Sequence, residues 1–174
     1  TPDLAAGPVT WRWIYSFYVY PNTLVKVEVT GDQVVEILEY AARYYQGMEC
    51  SPGGACVVLT DASIPHYNVD TMAGISYRVD PTQPLGERVQ DVRVGGRPID
   101  LDRTFALVCN NYRAAGGGGY PHLAEADTVW QSSEEMTDLI GDFLTNNSSW
   151  QPEVDDNWRL GPAMIAERPV AATP

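Results

Sequence analysis

TLVKVEVTGDQVVEILEYAARYY, residues 23–45, carries two hydrophobic periods in succession. Val25, Val27 and Val29 fall on one side while Lys26 and Glu28 fall on the other, the alternation of a strand with one buried face. After Gly31 the spacing changes. Val34, Leu38, Ala41 and Tyr45 recur at helical intervals, so residues 32–45 read as an amphipathic helix, with Thr30 suited to the N-cap and Asp32 beside the positive helix end. Strand, tight turn and helix in direct sequence order point to a chain that mixes both element types.

Outward from this unit, PVTWRWIYSFYVY (8–20) suits a short helix opened by Pro8 and Thr10, with a buried strand as the alternative. CVVLT (56–60) and ISYRVD (75–80), with Ile75, Tyr77 and Val79 on one face, read as strands. VQDVRVGGRPID (89–100) reads as a hairpin, because Gly95-Gly96 can supply the positive φ that a two-residue turn demands. TFALVCNN (104–111) reads as a buried strand, and SSEEMTDLIGDFLTNN (132–147) as a helix capped by Ser132 or Ser133. The tail from Ser148 carries an apolar knot at Trp158 and Leu160 and is expected to wrap the domain and fray over 163–174. No repeat or linker divides the sequence. The expected fold is a single α+β domain over 1–174, with mixed sheets and flanking helices.

At 174 residues one core buries roughly 70% of the surface the unfolded chain exposes, so no disulfide framework is required. With 11 Lys+Arg against 23 Asp+Glu, the net charge of −12 disfavours a nucleic-acid polymer as partner, since such binding needs a basic face. No run approaches the ~18 consecutive apolar residues of a membrane span. The two histidines, His66 and His122, stand outside any HExxH array, and any metal held by this chain would need mostly carboxylate ligands. No catalytic or metal-ligating residue is therefore assigned within the chain.

Cys50 and Cys56 bracket ECSPGGAC, whose ends can meet in a disulfide, and two separate surface thiols are the alternative reading. A bridge would imply an oxidising compartment. Cys109, inside an apolar strand, reads as a buried free thiol. The glycines Gly116 to Gly119 lack the lysine of a phosphate loop, but they allow close backbone approach. Tyr20 precedes Pro21-Asn22-Thr23, and Tyr112 lies between Asn110-Asn111 and the glycines. Both rings sit at strand-to-loop exits, where an aromatic can stack on a planar ligand or pack in a core.

The blocks YVYPNTLVKVEVTG, YNVDTMAGISYRVDPTQP, VRVGGRPID, NNYRAAGGGGYP and DDNWRLGP occur in this order from residue 18 to 162. In them the chain resembles the C-terminal domain of the 5'-nucleotidase family, and most of all its 2',3'-cyclic-nucleotide 2'-phosphodiesterase/3'-nucleotidase branch. The resemblance implies a nucleobase-recognition domain of a secreted, periplasmic or wall-associated hydrolase. It places Tyr20 and Tyr112 as the rings that sandwich the base, and Asn22 as a base contact. The matching motif adds Asn110, Asn111, Arg113, Gly116, Gly117, Gly118 and Gly119 to the substrate-binding set. Members with 5'-nucleotidase activity carry an aspartate, in NDFLAAGGDGYP, where this sequence has Gly118. That departure favours a substrate with phosphate on the 2',3' edge of the ribose, because an anion there would repel it.

The resemblance further implies an N-terminal metallophosphoesterase domain, absent from this sequence, with two divalent metal ions. Its GNH[DE] segment is not found here. The chain is thus expected to be an N-terminally truncated piece, inactive alone, whose partners are a nucleotide or nucleoside and its own catalytic domain. The alternatives are a 5'-nucleotidase or sugar-nucleotide hydrolase of the same family, and a non-catalytic extracellular binding module.

Overall fold

The computed structural model describes residues 8–51, 56–149, 151 and 153–162. The expected frayed tail (163–174) and most of the turn between Cys50 and Cys56 lie outside the described residues. In chain order the elements are α1 (Trp11–Phe17), β1 (Thr23–Thr30), α2 (Gly31–Ala42), β2 (Tyr45–Cys50), β3 (Cys56–Thr60), β4 (Ser76–Val79), β5 (Val89–Val94), β6 (Arg97–Pro98), β7 (Thr104–Asn110), α3 (Asn111–Ala114), β8 (Thr128–Glu135), α4 (Met136–Asn146) and β9 (Trp158–Leu160). Short 3₁₀ turns occupy His66–Asn68 and Gly117–Gly119. The mixture of helices and sheets is the α+β class expected from the sequence. It is organised as two compact units, one of residues 1–30 and 104–154, the other of residues 31–103 and 155–174.

The first unit is built on an antiparallel sheet in the order β7-β1-β8. Val25, Val27 and Val29 of the central strand are almost wholly buried, and Glu28 is exposed, as the alternation requires. Residues 11–17 form a helix, not a strand. Its start is fixed by Thr10, whose Oγ1 accepts from the Trp13 N–H at 3.3 Å. Strand β7 alternates half-buried with exposed residues instead of being buried throughout, so Val108 is exposed and Cys109, which is in no disulfide, is half-buried. The expected cap at Ser132 or Ser133 is corrected: both lie inside β8, and α4 begins only at Met136. Both serines lie at an irregularity of the β1–β8 ladder, between the pairs Val25–Gln131 and Thr23–Glu135. The Ser132 hydroxyl turns back onto Glu134, accepting from its N–H and donating to its carbonyl, each at 3.0 Å.

In the second unit, α2 buries Val34, Ile37, Leu38, Ala41 and Ala42. The helix ends three residues before the periodicity suggested. Tyr45 opens β2, which pairs antiparallel with β3. Cys50 stands directly opposite Cys56 in that ladder, and the two are joined as a disulfide with Cα atoms 4.0 Å apart. The separate-thiol alternative is thereby excluded.

A second sheet runs β6-β5-β4-β9, and the hairpin turn at Gly95 and Gly96 has φ of 57° and 78°. Strand β9 adds parallel to β4 with Trp158 opposite Tyr77, their rings stacked 6.2 Å apart. Asn157 secures the approach to this pair by donating from Nδ2 to the carbonyls of Met72 and Ile75, at 2.7 and 2.8 Å. Glu39 accepts from the Val89 N–H at 2.6 Å and the Gly86 N–H at 3.2 Å, tying α2 to the start of β5. Buried Arg88 donates to the carbonyls of Gln83, Ala42 and Tyr45. Two of the recognised blocks, YNVDTMAGISYRVDPTQP and DDNWRLGP, therefore do structural work in this unit.

Candidate functional site

All ten residues expected at the substrate site fall in the first unit. Their convergence follows from strand register. Because β1 and β7 are antiparallel with Leu24 opposite Asn110, the chain running into β1 (Tyr20, Pro21, Asn22) lies beside the chain leaving β7 (Asn111, Tyr112, Arg113). The backbone N–H of Thr23 donates to Asn111 Oδ1 at 3.1 Å, so the two segments are joined outside the ladder as well.

Within this group the side chains divide into two kinds. Tyr20 and Tyr112 are 64% and 49% exposed, with rings at one end of the sheet and open to solvent. Tyr120, by contrast, is 4% exposed. Most of the polar members are turned toward the protein itself. Asn110 caps α3 by accepting from the Arg113 N–H at 2.8 Å, and Asn111 holds Thr23. Arg113 is buried. Its Nη1 donates to the Gly117 carbonyl at 3.0 Å, and its guanidinium sits 4.7 Å from the Tyr120 ring centre and 5.5 Å from that of Tyr112. Asn110, Asn111 and Arg113, which the expectation grouped with the substrate contacts, make these contacts within the protein.

The glycine run has its own logic. Gly116 ends α3 at φ 87°, a left-handed conformation that a glycine adopts without penalty. Gly117 is needed for space: a Cβ there would lie 2.5 Å from Cδ1, Cε1 and the carbonyl oxygen of Tyr112. The Tyr112 ring thus lies against the bare backbone of Gly117, and the Arg113 bond to the same residue fixes that backbone. Gly118 and Gly119 also have positive φ, at 78° and 73°.

Sequence reasoning missed Tyr18. It sits in the quoted YVYPN block, but a lone tyrosine in an aromatic run carries no signal of its own. Its hydroxyl meets Asn22 Nδ2 at 3.0 Å, Asn110 Nδ2 at 3.5 Å and Met136 Sδ at 3.1 Å.

A divalent metal pair needs a cluster of His, Asp or Glu, and no group of three or more such residues lies together among the described residues. His66 lies in the second unit, its Nδ1 3.2 Å from the Tyr44 hydroxyl, and His122 follows the glycine turn at φ 65°. Tyr20 and Tyr112 each offer an exposed π-face, and the Tyr112 ring lies against the glycine turn. A small recess lies elsewhere among the described residues. In the second unit Leu38, Ala41, Tyr45, Tyr77 and Trp158 line an apolar space with room for about one water molecule. Burial raises the phenol pKa of both tyrosines there, assisted at Tyr45 by the charge of Tyr44.

The chain is similar to known proteins in sequence and in fold. The sequence model of the family described as 5'-nucleotidase, C-terminal domain, matches residues 1–125. A trifunctional nucleotide phosphoesterase protein of Bacillus subtilis is 30% identical over 92% of this chain and 12% of its own length. A 2',3'-cyclic-nucleotide 2'-phosphodiesterase/3'-nucleotidase of Salmonella typhimurium is 30% identical over 92% of this chain and 27% of its own. Among solved structures, a candidate 5'-nucleotidase of Staphylococcus aureus in complex with alpha-ketoglutarate superposes with a TM-score of 0.76 at 31% identity, over 88% of this chain and 30% of that one. The chain thus spans about an eighth to a quarter of the length of these two curated relatives.

Proposed function

The chain belongs to the 5'-nucleotidase C-terminal domain family, and from that premise we propose that it is the nucleobase-recognition part of a secreted 2',3'-cyclic-nucleotide 2'-phosphodiesterase/3'-nucleotidase. The observation that carries this reading is the pair of exposed rings, Tyr20 and Tyr112, placed at one end of the β1–β7 ladder by its register. Two π-faces hold any base, since every base is planar and aromatic, whereas hydrogen bonds to one base edge would select among them. The ligand class is therefore nucleotides of any base. The net charge of −12 is compatible with this, because stacking needs no cation and the phosphate would be met elsewhere.

In this reading the phosphate is handled by a metallophosphoesterase domain outside the 174 residues. When bound there, two divalent ions supply an activated water and charge stabilisation for phosphoester hydrolysis. The residues of this chain bind and orient the base, and the chain alone is expected to release no phosphate from a cyclic nucleotide, with or without Mn²⁺ or Zn²⁺.

Gly118 supports the 2',3'-cyclic and 3'-nucleotide branch. Position 118 carries no carboxylate where 5'-nucleotidases hold the ribose hydroxyls, so a phosphate on that edge meets no negative charge from this residue. The Cys50–Cys56 disulfide supports an extracytoplasmic location, because such bridges persist in oxidising compartments.

The test is steady-state hydrolysis of 2',3'-cAMP, 3'-AMP and 5'-AMP by the full-length protein and its Tyr20→Ala and Tyr112→Ala variants. Loss of one stacking face is expected to raise KM roughly 5- to 150-fold, with kcat changed much less. A fall in kcat at constant KM in both variants would assign the rings to something other than base binding.

A further inference from the structure

We propose that Tyr18 is the positioning residue of the ring pair, acting through its hydroxyl and not through any contact with the ligand. This inference rests on the base-stacking reading above. A two-ring clamp works only if its faces are held about 7 Å apart, twice the ~3.5 Å contact distance of stacked carbons. Yet Tyr20 lies outside the ladder, which begins at Leu24 opposite Asn110, and Tyr112 lies beyond that same end. The Thr23 N–H bond to Asn111 Oδ1 joins the two segments next to the ladder, and a further connection is needed to fix the parts that carry the rings.

The Tyr18 hydroxyl supplies it. A phenol has one proton to donate and two lone pairs to accept with, and all three are used here. It donates to Met136 Sδ at 3.1 Å and accepts from Asn22 Nδ2 at 3.0 Å and Asn110 Nδ2 at 3.5 Å. Each partner is one bond from a ring-bearing segment. Asn22 donates its N–H to the Tyr20 carbonyl at 2.8 Å, and Asn110 accepts from the N–H of Arg113, the residue after Tyr112. Met136 closes the circuit, its N–H donating to the Asn22 carbonyl at 2.8 Å. The side chain that makes these bonds is half-buried, whereas its neighbours Phe17, Val19 and Tyr20 are exposed. Tyr18 faces inward because its hydroxyl is satisfied there.

Removing the hydroxyl leaves two amide groups without this acceptor and loosens the two segments, which the Thr23–Asn111 bond still joins. Affinity then falls because the rings must be ordered at the moment of binding. The experiment is an NMR titration of the 174-residue chain with adenosine, comparing wild type, Tyr18→Phe, Tyr112→Ala and the double variant, with a thermal melt of each. Tyr18→Phe is expected to weaken binding roughly three- to tenfold. That loss should largely vanish in the Tyr112→Ala background, since a residue acting through the clamp has nothing to position once the clamp is open.

A folded Tyr18→Phe that binds as wild type, or whose loss persists undiminished beside Tyr112→Ala, overturns the inference and leaves base stacking standing. If Tyr112→Ala alone leaves binding unchanged, base stacking fails and the inference falls with it. Should Tyr18→Phe not fold, Met136→Leu removes the hydroxyl's acceptor at nearly constant volume. It is expected to weaken adenosine binding in the same direction, and wild-type affinity in folded Met136→Leu would also overturn the inference.

Discussion

The substitution Gly117→Ala adds one methyl group against the Tyr112 ring. The new Cβ would lie 2.5 Å from Cδ1, Cε1 and the carbonyl oxygen of Tyr112, against an ordinary carbon contact of about 3.5–4.0 Å. The ring must therefore withdraw by about 1 Å or more. The carbonyl oxygen belongs to the backbone of α3, which is pinned by the Asn110 cap, so part of the misfit remains as overpacking worth about 1–3 kcal/mol of stability. Stacking of a base on one ring contributes about 1–3 kcal/mol. A displaced ring forfeits a large share of it, which corresponds to a loss of adenosine affinity of about tenfold.

Titration of the 174-residue chain with adenosine, alongside thermal unfolding, reads both effects. Gly86→Ala serves as the control. Gly86 has φ +91° with no atom within 4 Å of its would-be Cβ, so alanine there costs about 1–2 kcal/mol of backbone strain and leaves binding alone. A folded Gly117→Ala that binds adenosine as tightly as wild type would refute the claim that this glycine seats a ligand-binding ring.

Gly118→Asp in the full-length protein is expected to lower activity on 2',3'-cAMP and 3'-AMP at least about tenfold relative to 5'-AMP, from placing a carboxylate near the 2',3' phosphate. At φ 78° the position accepts aspartate better than most residues, so the variant should fold. An unchanged 3'-to-5' ratio would show that the missing carboxylate does not set the branch. Burial raises the phenol pKa of Tyr77 and Tyr45 above the ordinary value of 10.0. Their neutral forms are favoured on folding, so the stability they contribute is full below pH about 10 and is lost as pH rises through the raised native values. The stability advantage of wild type over Tyr77→Phe, measured by urea unfolding, should shrink from pH 9 to pH 11, and a gap independent of pH would contradict the burial argument.

Legibility in the sequence followed the range of the interactions involved. The alternation at Val25, Val27 and Val29 and the Gly95-Gly96 turn are local signals, and both match the structure. Tyr45 kept the helical period yet became a strand residue, because pairing with Thr60 lies fifteen positions along the chain and has no trace in the local pattern. Ser132 looks like a helix cap because its hydroxyl does make a local bond to a backbone N–H two residues on. The bond forms inside β8, at the irregularity between its pairs Val25–Gln131 and Thr23–Glu135 with β1.

At the site, Tyr20 and Tyr112 were legible through the motifs around them. The contacts that Asn110, Asn111 and Arg113 make within the protein were not, since a motif marks which residues belong together and not which way each side chain faces. Tyr18 was the least legible of all: two of its three hydroxyl partners stand 92 and 118 residues away.

The central claim is that Tyr20 and Tyr112 grip a base by its faces. Titrating the 174-residue chain with adenosine, guanosine, cytidine and uridine, while following the ring protons of both tyrosines by NMR, tests it most directly. The account predicts affinities within about tenfold of one another and ring-current shifts at both tyrosines. Absence of shifts at these two rings, or binding restricted to a single base, would contradict it.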